Sequence, residues 1–177
     1  MHHIEDLSGD LIHCNCRIGK ILDHCDFVTV SMIGNNKPYA VTVRFVHDSK
    51  IHKVERLYFL CDNTSPELGF ISKNPEVFFN TCFVEMTSPF TSAFKSDPSF
   101  VIVSGEGTAS VLTDKDKIIR FSSVIMHKHS SDKASDSPVK LNDNGINDVP
   151  AKKIENSTIV SIDISKIVGK KVASAFM

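Results

Sequence analysis

The chain has 177 residues, 41% apolar and 23% charged, with 20 basic side chains against 21 acidic ones. That length fits one domain, residues 1–177, burying about two thirds of its unfolded surface without help from a metal or a disulfide. The net charge of −1 excludes an electrostatic footprint for nucleic acid; the composition excludes a disordered chain, and no apolar run reaches the ~18 residues of a membrane helix.

At the N-terminus, MHHIED is followed by no apolar stretch with a small-residue cleavage site, so no signal peptide is expected. Residues 27–33 (FVTVSMI) alternate apolar side chains with Thr and Ser. Asn35, Asn36, Lys37 and Pro38 interrupt the run and residues 39–46 (YAVTVRFV) resume it, which predicts an antiparallel hairpin. The polar stretch 47–55 reads as a long connection to a third strand over 56–61. Ser65 can cap a helix, Pro66 suits its first position and Glu67 suits the positive end of its dipole. Leu68, Phe70 and Ile71 give that helix an apolar face, and Asn74-Pro75 ends it. Residues 77–86 form a fourth strand and 100–112 a fifth, with Gly105 and Gly107 permitting a bulge. Thr113-Asp114 can cap a second helix reaching about His127, with Ile118, Ile119, Phe121, Val124 and Ile125 on one face. Residues 130–156, rich in Ser, Asp, Asn and Lys, form a polar surface excursion. Residues 157–164 (STIVSIDI) are the last strand, followed by a short turn and tail. Six strands, two helices and antiparallel connections predict a mainly β fold, a small barrel with helices at its ends.

The chemistry-bearing residues exclude more than they assign. Five cysteines, an odd count, fit reduced thiols in a cytoplasmic protein better than a secreted disulfide framework. His13, Cys14 and Cys16 cluster, as do His127 and His129, but Cys-x-Cys is too short for the usual zinc spacing. A helix through 13–16 would point Cys14 and Cys16 to different faces, as packing residues; no metal site is expected. Cys61 and Cys82 lie in apolar runs, where a thiol acts as a small hydrophobe. Neither a Walker loop nor a G-x-S-x-G elbow is present. Asp62, Asn63, Thr64 and Ser65 run into the helix at Pro66, either an ordinary capped start or an anion cradle, with Glu67 opposing an anion.

The order of these segments resembles the FMN-binding split-barrel proteins, in particular the nitroimidazole-resistance and pyridoxamine 5'-phosphate oxidase-like branch. Arg17-Ile18-Gly19-Lys20-Ile21-Leu22 is similar to that family's short "R-x-G-x-L" lead-in, and Lys37 to Phe45 to its "P-Y-x-x-P-V-x-F" strand. Leu57-Tyr58-Phe59 through Asn74-Pro75-Glu76-Val77 resembles strand, phosphate loop and helix ending in "N-P-x-V". Residues 100–109 match a "G-x-G-x-A" strand, and 158–171 (TIVSIDISKIVGKK) the closing "I-x-I-D-I-x-x-I-x-G-K".

The resemblance implies a homodimer with FMN at the subunit interface. It places the flavin ring against Thr42, Val43, Arg44 and Phe45, and the phosphate at Leu60, Cys61, Asp62, Thr64, Ser65 and Glu67. The chain departs from the family at Glu67, where a basic residue is usual, at Leu60-Cys61, where "H-S" or "Y-T" is usual, and near Ile102, usually polar. Arg44 can substitute as a cation for phosphate or ring. No match to the oxidase's C-terminal substrate motif is present. The implied function is an FMN-dependent oxidoreductase that reduces a small organic acceptor, since a flavin carries its own redox chemistry. The alternatives are a flavin- or haem-binding protein, with His127 and His129 as axial ligands, and a cofactor-free dimeric split barrel. In the oxidoreductase reading, residues 130–156 would be a lid that covers the substrate.

Overall fold

The structure is a computed structural model and describes residues 10–12, 14–34, 36–50, 53–85, 99–128 and 156–173. In chain order the elements are β1 (Asp10–Ile12), α1 (Asn15–His24), β2 (Phe27–Gly34), β3 (Lys37–Lys50), β4 (Lys53–Asp62), α2 (Pro66–Lys73), β5 (Glu76–Glu85), β6 (Ser99–Val111), α3 (Lys115–Lys128) and β7 (Ser157–Ala173). All ladders are antiparallel, in the order β1-β7-β4-β3-β2-β5-β6, and β6 pairs again with β7. That last pairing closes six strands into a barrel, with β1 as an extra strand on β7. His13, His129 and residues 130–155 lie outside the described residues, and so does the expectation of a lid.

The β2–β3 hairpin forms as expected, with Gly34 opposite Lys37. Asn36 takes the left-handed conformation (φ 58°) that a tight turn requires and that Asn tolerates. The expected connection over 47–55 is instead strand: β3 runs to Lys50 and β4 starts at Lys53, with a register shift between Asp48 and Ser49. Its polar groups are satisfied across the structure, His47 Nε2 donating to Asp23 Oδ1 at 2.9 Å while Nδ1 lies 3.0 Å from Ser49 Oγ.

The expected tail after residue 164 is also strand. β7 continues to Ala173 because its backbone finds β6 on one side and β1 on the other. The bulge expected at the glycines is there, with Ser165 as the extra residue between Lys166↔Glu106 and Ile164↔Gly107. A Cβ at Gly105 would overlap the Phe79 ring and the Lys166 carbonyl, and one at Gly107 the Asp163 carbonyl, so β6 and β7 can approach this closely only with glycine there.

Two helices are expected and three are found among the described residues. α1 escaped the sequence reading because its buried face is short (Ile18, Ile21, Leu22) and Cys14, no capping residue, stands before it. α2 matches expectation, except that the Ser65 side chain makes no capping bond; its carbonyl accepts from Leu68 N at 3.2 Å. α3 is capped by Asp114, whose Oδ1 accepts from the amides of Asp116 and Lys117 at 3.1 and 3.3 Å. Ile119 is exposed rather than part of its packed face, which consists of Ile118, Phe121, Val124 and Ile125.

Strand alternation sends one set of side chains inward. Phe45, Phe59, Phe79, Val28, Val30 and Val103 are fully buried in the barrel core. The outward set on β3, β4 and β7 (Val46, Tyr58, Ile159) is covered by α3, with Tyr58 stacked on Phe121 at 3.7 Å. The β3–β4 ladder ends at Phe45↔Phe59. Beyond it β3 follows β2 and β4 follows β7, and α2 packs Leu68, Phe70 and Ile71 against the same core as Tyr39, Val41, Val43 and Cys61. Tyr39 stacks on Phe70 at 4.7 Å. The outer face of β3, β2, β5 and β6 carries no helix among the described residues.

Candidate functional site

That outer face holds two clefts. The first, about 620 Å³, lies where α1 turns into β2 and is lined by residues that include His24, Phe27, Thr29, Thr42, Asn80 and Ile102. The size suits one planar heterocycle, within the usual range for small-molecule sites. Thr29 and Thr42, facing each other across the ladder, share a hydrogen bond of 3.0 Å between their hydroxyls. At one wall His24 lies 5.4 Å from the Phe83 ring. At the base Thr81 is buried and its hydroxyl donates to the Phe27 carbonyl at 2.6 Å, while burial pushes up the thiol of Cys25. Arg44 pairs with Phe27 in register and holds its guanidinium 5.8 Å from that ring, a cation beside the cleft. The second cleft, about 590 Å³, lies further along the face around Ser31, Ile33, Tyr39, Asn74 and Phe78.

The residues expected to hold a cofactor therefore divide into two places. Thr42 and Arg44 point out onto the open face, and Thr42 joins Ile102 in the first cleft. Val43 and Phe45 point inward; Phe45 is fully buried and offers a ligand no side chain. Leu60 packs beneath α3. Cys61, Asp62, Thr64, Ser65 and Glu67 gather at the end of β4 and the start of α2, where the barrel opens. Cys82, expected inside an apolar strand, faces outward and is exposed in the first cleft, because β5 places it on the same side as Asn80 and Val84. Cys14 and Cys16 are both exposed, contrary to their reading as helix-packing residues. The side chains of His127 and His129 lie outside the described residues. Among the described residues, no three His, Cys, Asp or Glu side chains gather to hold a metal, and no helix is long and apolar enough to cross a membrane.

Glu67 decides what the α2 end can take. It is 5% exposed, and its Oε2 has no hydrogen-bond partner among the described residues. Its charge helps push up the phenol of Tyr39 and the thiol of Cys61; the latter reaches about 11, with burial as the main cause and Glu67 next. Thr64, Ser65 and the free amides of α2 are anion donors, but a buried carboxylate stands among them and Asp62 adds a second. This donor set does not fit the phosphate of FMN. The first cleft suits a flavin ring in size, in the apolar side chains of Phe27 and Phe83, and in its hydroxyl and amide groups. The residues sequence reasoning missed here, His24, Thr29 and Asn80, come from three elements far apart in the chain and carry no shared motif.

The chain matches no protein-family profile and no curated protein sequence. Its fold does match solved structures. A candidate 5-nitroimidazole antibiotic resistance protein from Bacteroides thetaiotaomicron aligns with a TM-score of 0.65 at 16% identity, over 97% of this chain and 95% of that one. The FAD and haem binding protein of Mycobacterium smegmatis gives 0.65 at 15% identity, over 93% and 73%. An FAD-binding protein from Mesorhizobium loti gives 0.60 at 13% identity, over 94% and 100%. The fold is thus the one these solved structures share, the split β-barrel that the sequence resemblance implied.

Proposed function

We propose that the protein is a flavin-binding oxidoreductase that works as a homodimer and reduces a small organic acceptor. The observation that carries this is the first cleft, with the Thr29–Thr42 hydroxyl pair, Asn80 and Ile102 on an uncovered barrel face. A bound flavin, FMN in the first instance, supplies the redox chemistry. The chain's part is to bind and orient the ring: Phe27 and Phe83 give apolar contact, the Thr hydroxyls and Asn80 hydrogen-bond its polar edge, and Arg44 sits where negative charge is favoured. A second subunit laid on the face would exclude water from the cleft. The flavin- and haem-binding proteins of the same fold support a cofactor in this class.

Because Glu67 opposes a phosphate, the ring carries the affinity. FMN and riboflavin are therefore expected to bind within about tenfold of each other, a difference under ~1.4 kcal/mol. Titration of the purified protein, followed by flavin fluorescence and absorbance, tests this. Binding of both, weakened by Thr42→Val, supports the reading and directs the next assay to nicotinamide-driven reduction of a nitro compound. No binding of FMN, FAD or riboflavin at high concentration overturns it. Glu67, whose buried Oε2 has no hydrogen-bond partner among the described residues, would then favour the second reading, a cofactor-free dimeric split barrel.

A further inference from the structure

The cysteines at the start of α1 have no part in that function. Cys14 is the N-cap of α1, extended at φ −73° and ψ 108°, so its side chain is not bound to the helical direction that would turn it away from Cys16. Across one helical residue the Cα atoms of positions i and i+2 lie about 5.4 Å apart, from the rise and radius of the helix. That is inside the range a disulfide bridges. Both side chains are exposed. The Cys14 carbonyl accepts the first bonds of α1, from Arg17 N at 3.0 Å and Ile18 N at 3.1 Å, and closing a sulfur bridge leaves these in place.

We infer that Cys14 and Cys16 form a redox-active dithiol, which cycles between two thiols and one intramolecular disulfide by exchange with small-molecule disulfides. In the reduced pair the contact between the two thiols lowers Cys14 and raises Cys16. Either thiolate can open the exchange and the product is the same; Cys14 stands at the N-cap of α1. Opening from Cys14, the thiolate displaces one thiolate from a disulfide such as oxidised glutathione, forming a mixed disulfide. Cys16 then loses its proton, attacks the Cys14 sulfur and displaces the second thiolate. Two electrons and two protons pass from the pair to the small disulfide, which leaves as two thiols. The other cysteines are poorer competitors: Cys25 is buried, Cys61 is half-buried with its thiol raised to about 11, and burial also raises Cys82.

Ellman titration of the full chain in a glutathione redox buffer tests the assignment. The folded, reduced protein should show three reactive thiols, Cys14, Cys16 and Cys82, and the oxidised protein one. Peptide mapping should find Cys14 joined to Cys16, reversibly with dithiothreitol. Cys16→Ser and Cys14→Ser should each accumulate glutathione on the cysteine that remains, because the resolving thiol is gone. Both substitutions are at exposed positions and should leave the circular dichroism unchanged. Glutathione retained on Cys14 or Cys16 of the wild-type protein, or single variants that take up none at the remaining cysteine, would overturn the inference.

Discussion

Glu67 and Cys61 illustrate how one buried carboxylate sets the chemistry around it. The Cys61 thiol, ordinarily near 9, is raised to about 11 by burial first and by Glu67 second. A group whose folded value is raised contributes stability that is complete below the unfolded value and lost as pH rises through the folded one. Stability should therefore fall between about pH 9 and 11, with Cys25, Tyr39 and Tyr58 shifted in the same direction. Urea titrations at pH 7.5, 9 and 10.5 measure this. Glu67→Gln should move the ionisation of Cys61 to lower pH and raise stability by about 1 kcal/mol, since the buried Oε2 has no hydrogen-bond partner among the described residues. It should also strengthen FMN binding relative to riboflavin. A variant less stable than wild type, with Cys61 unchanged, would mean that the carboxylate has a partner of its own.

Lys128 carries the opposite sign to useful effect. Its ammonium donates to the carbonyls of Leu22, Cys25 and Phe45 at 3.1, 2.9 and 3.3 Å, and lies 4.4 Å from the Phe45 ring. It joins the last residue of α3 to the negative end of α1 and to β3, where a cation complements the helix dipole. Lys128→Met keeps the length of the side chain and abandons three acceptors. A loss of about 2 kcal/mol is expected, a fall in Tm of roughly 4–8 °C for a chain of this size, readable by calorimetry.

At the level of elements, the bulge between β6 and β7 is the tightest constraint. Gly107→Ala should cost about 3 kcal/mol through overlap with the Asp163 carbonyl, and Gly105→Ala as much through Phe79. Denaturation midpoints at or near wild type would show that the strands can separate there without penalty. These glycines were legible because a strand with two of them needs a reason. The β2–β3 hairpin and α2 were legible because alternation, turn residues and Pro66 act over a few neighbouring positions. The continuation of β3 through His47 and Asp48 was not, because its polar side chains find partners such as Asp23 on α1 that sequence spacing does not reveal. The end of β7 was hidden for the same reason, its ladder partners lying some seventy residues back on β6. In the site, Thr42 was visible through resemblance, whereas Asn80 and His24 meet it only when β5 and α1 are folded against β2.

The whole molecule is asymmetric in what it covers. α3 shields one side of the barrel, the Val46 end of β3 included, and α2 its opening, while the face of β2, β5, β6 and the rest of β3 carries no helix among the described residues. Among the described residues, three of the six large apolar side chains that stay exposed, Phe27 (49%), Ile33 (57%) and Val84 (47%), belong to β2 and β5 on that face. They alternate with the hydroxyls and amide of the first cleft, so whatever covers the apolar residues also closes the cleft. Exposed apolar side chains on such a face suit a partner, and on the proposed function a second copy related by a twofold axis would cover them with its own equivalents. Sedimentation of the wild-type chain should then give twice the chain mass. Phe27→Asp places a charge in the middle of such an interface and should yield a monomer that has lost flavin binding. Its folded stability should change by no more than about 1 kcal/mol, because the ring is half exposed in the single chain. Ile119→Asp, on the exposed side of α3, is the matching control and should leave both dimer and binding intact. Should Phe27→Asp remain dimeric with its flavin, the interface lies elsewhere and the cleft works within one chain. A monomeric variant that still binds flavin would separate the cofactor site from dimer formation.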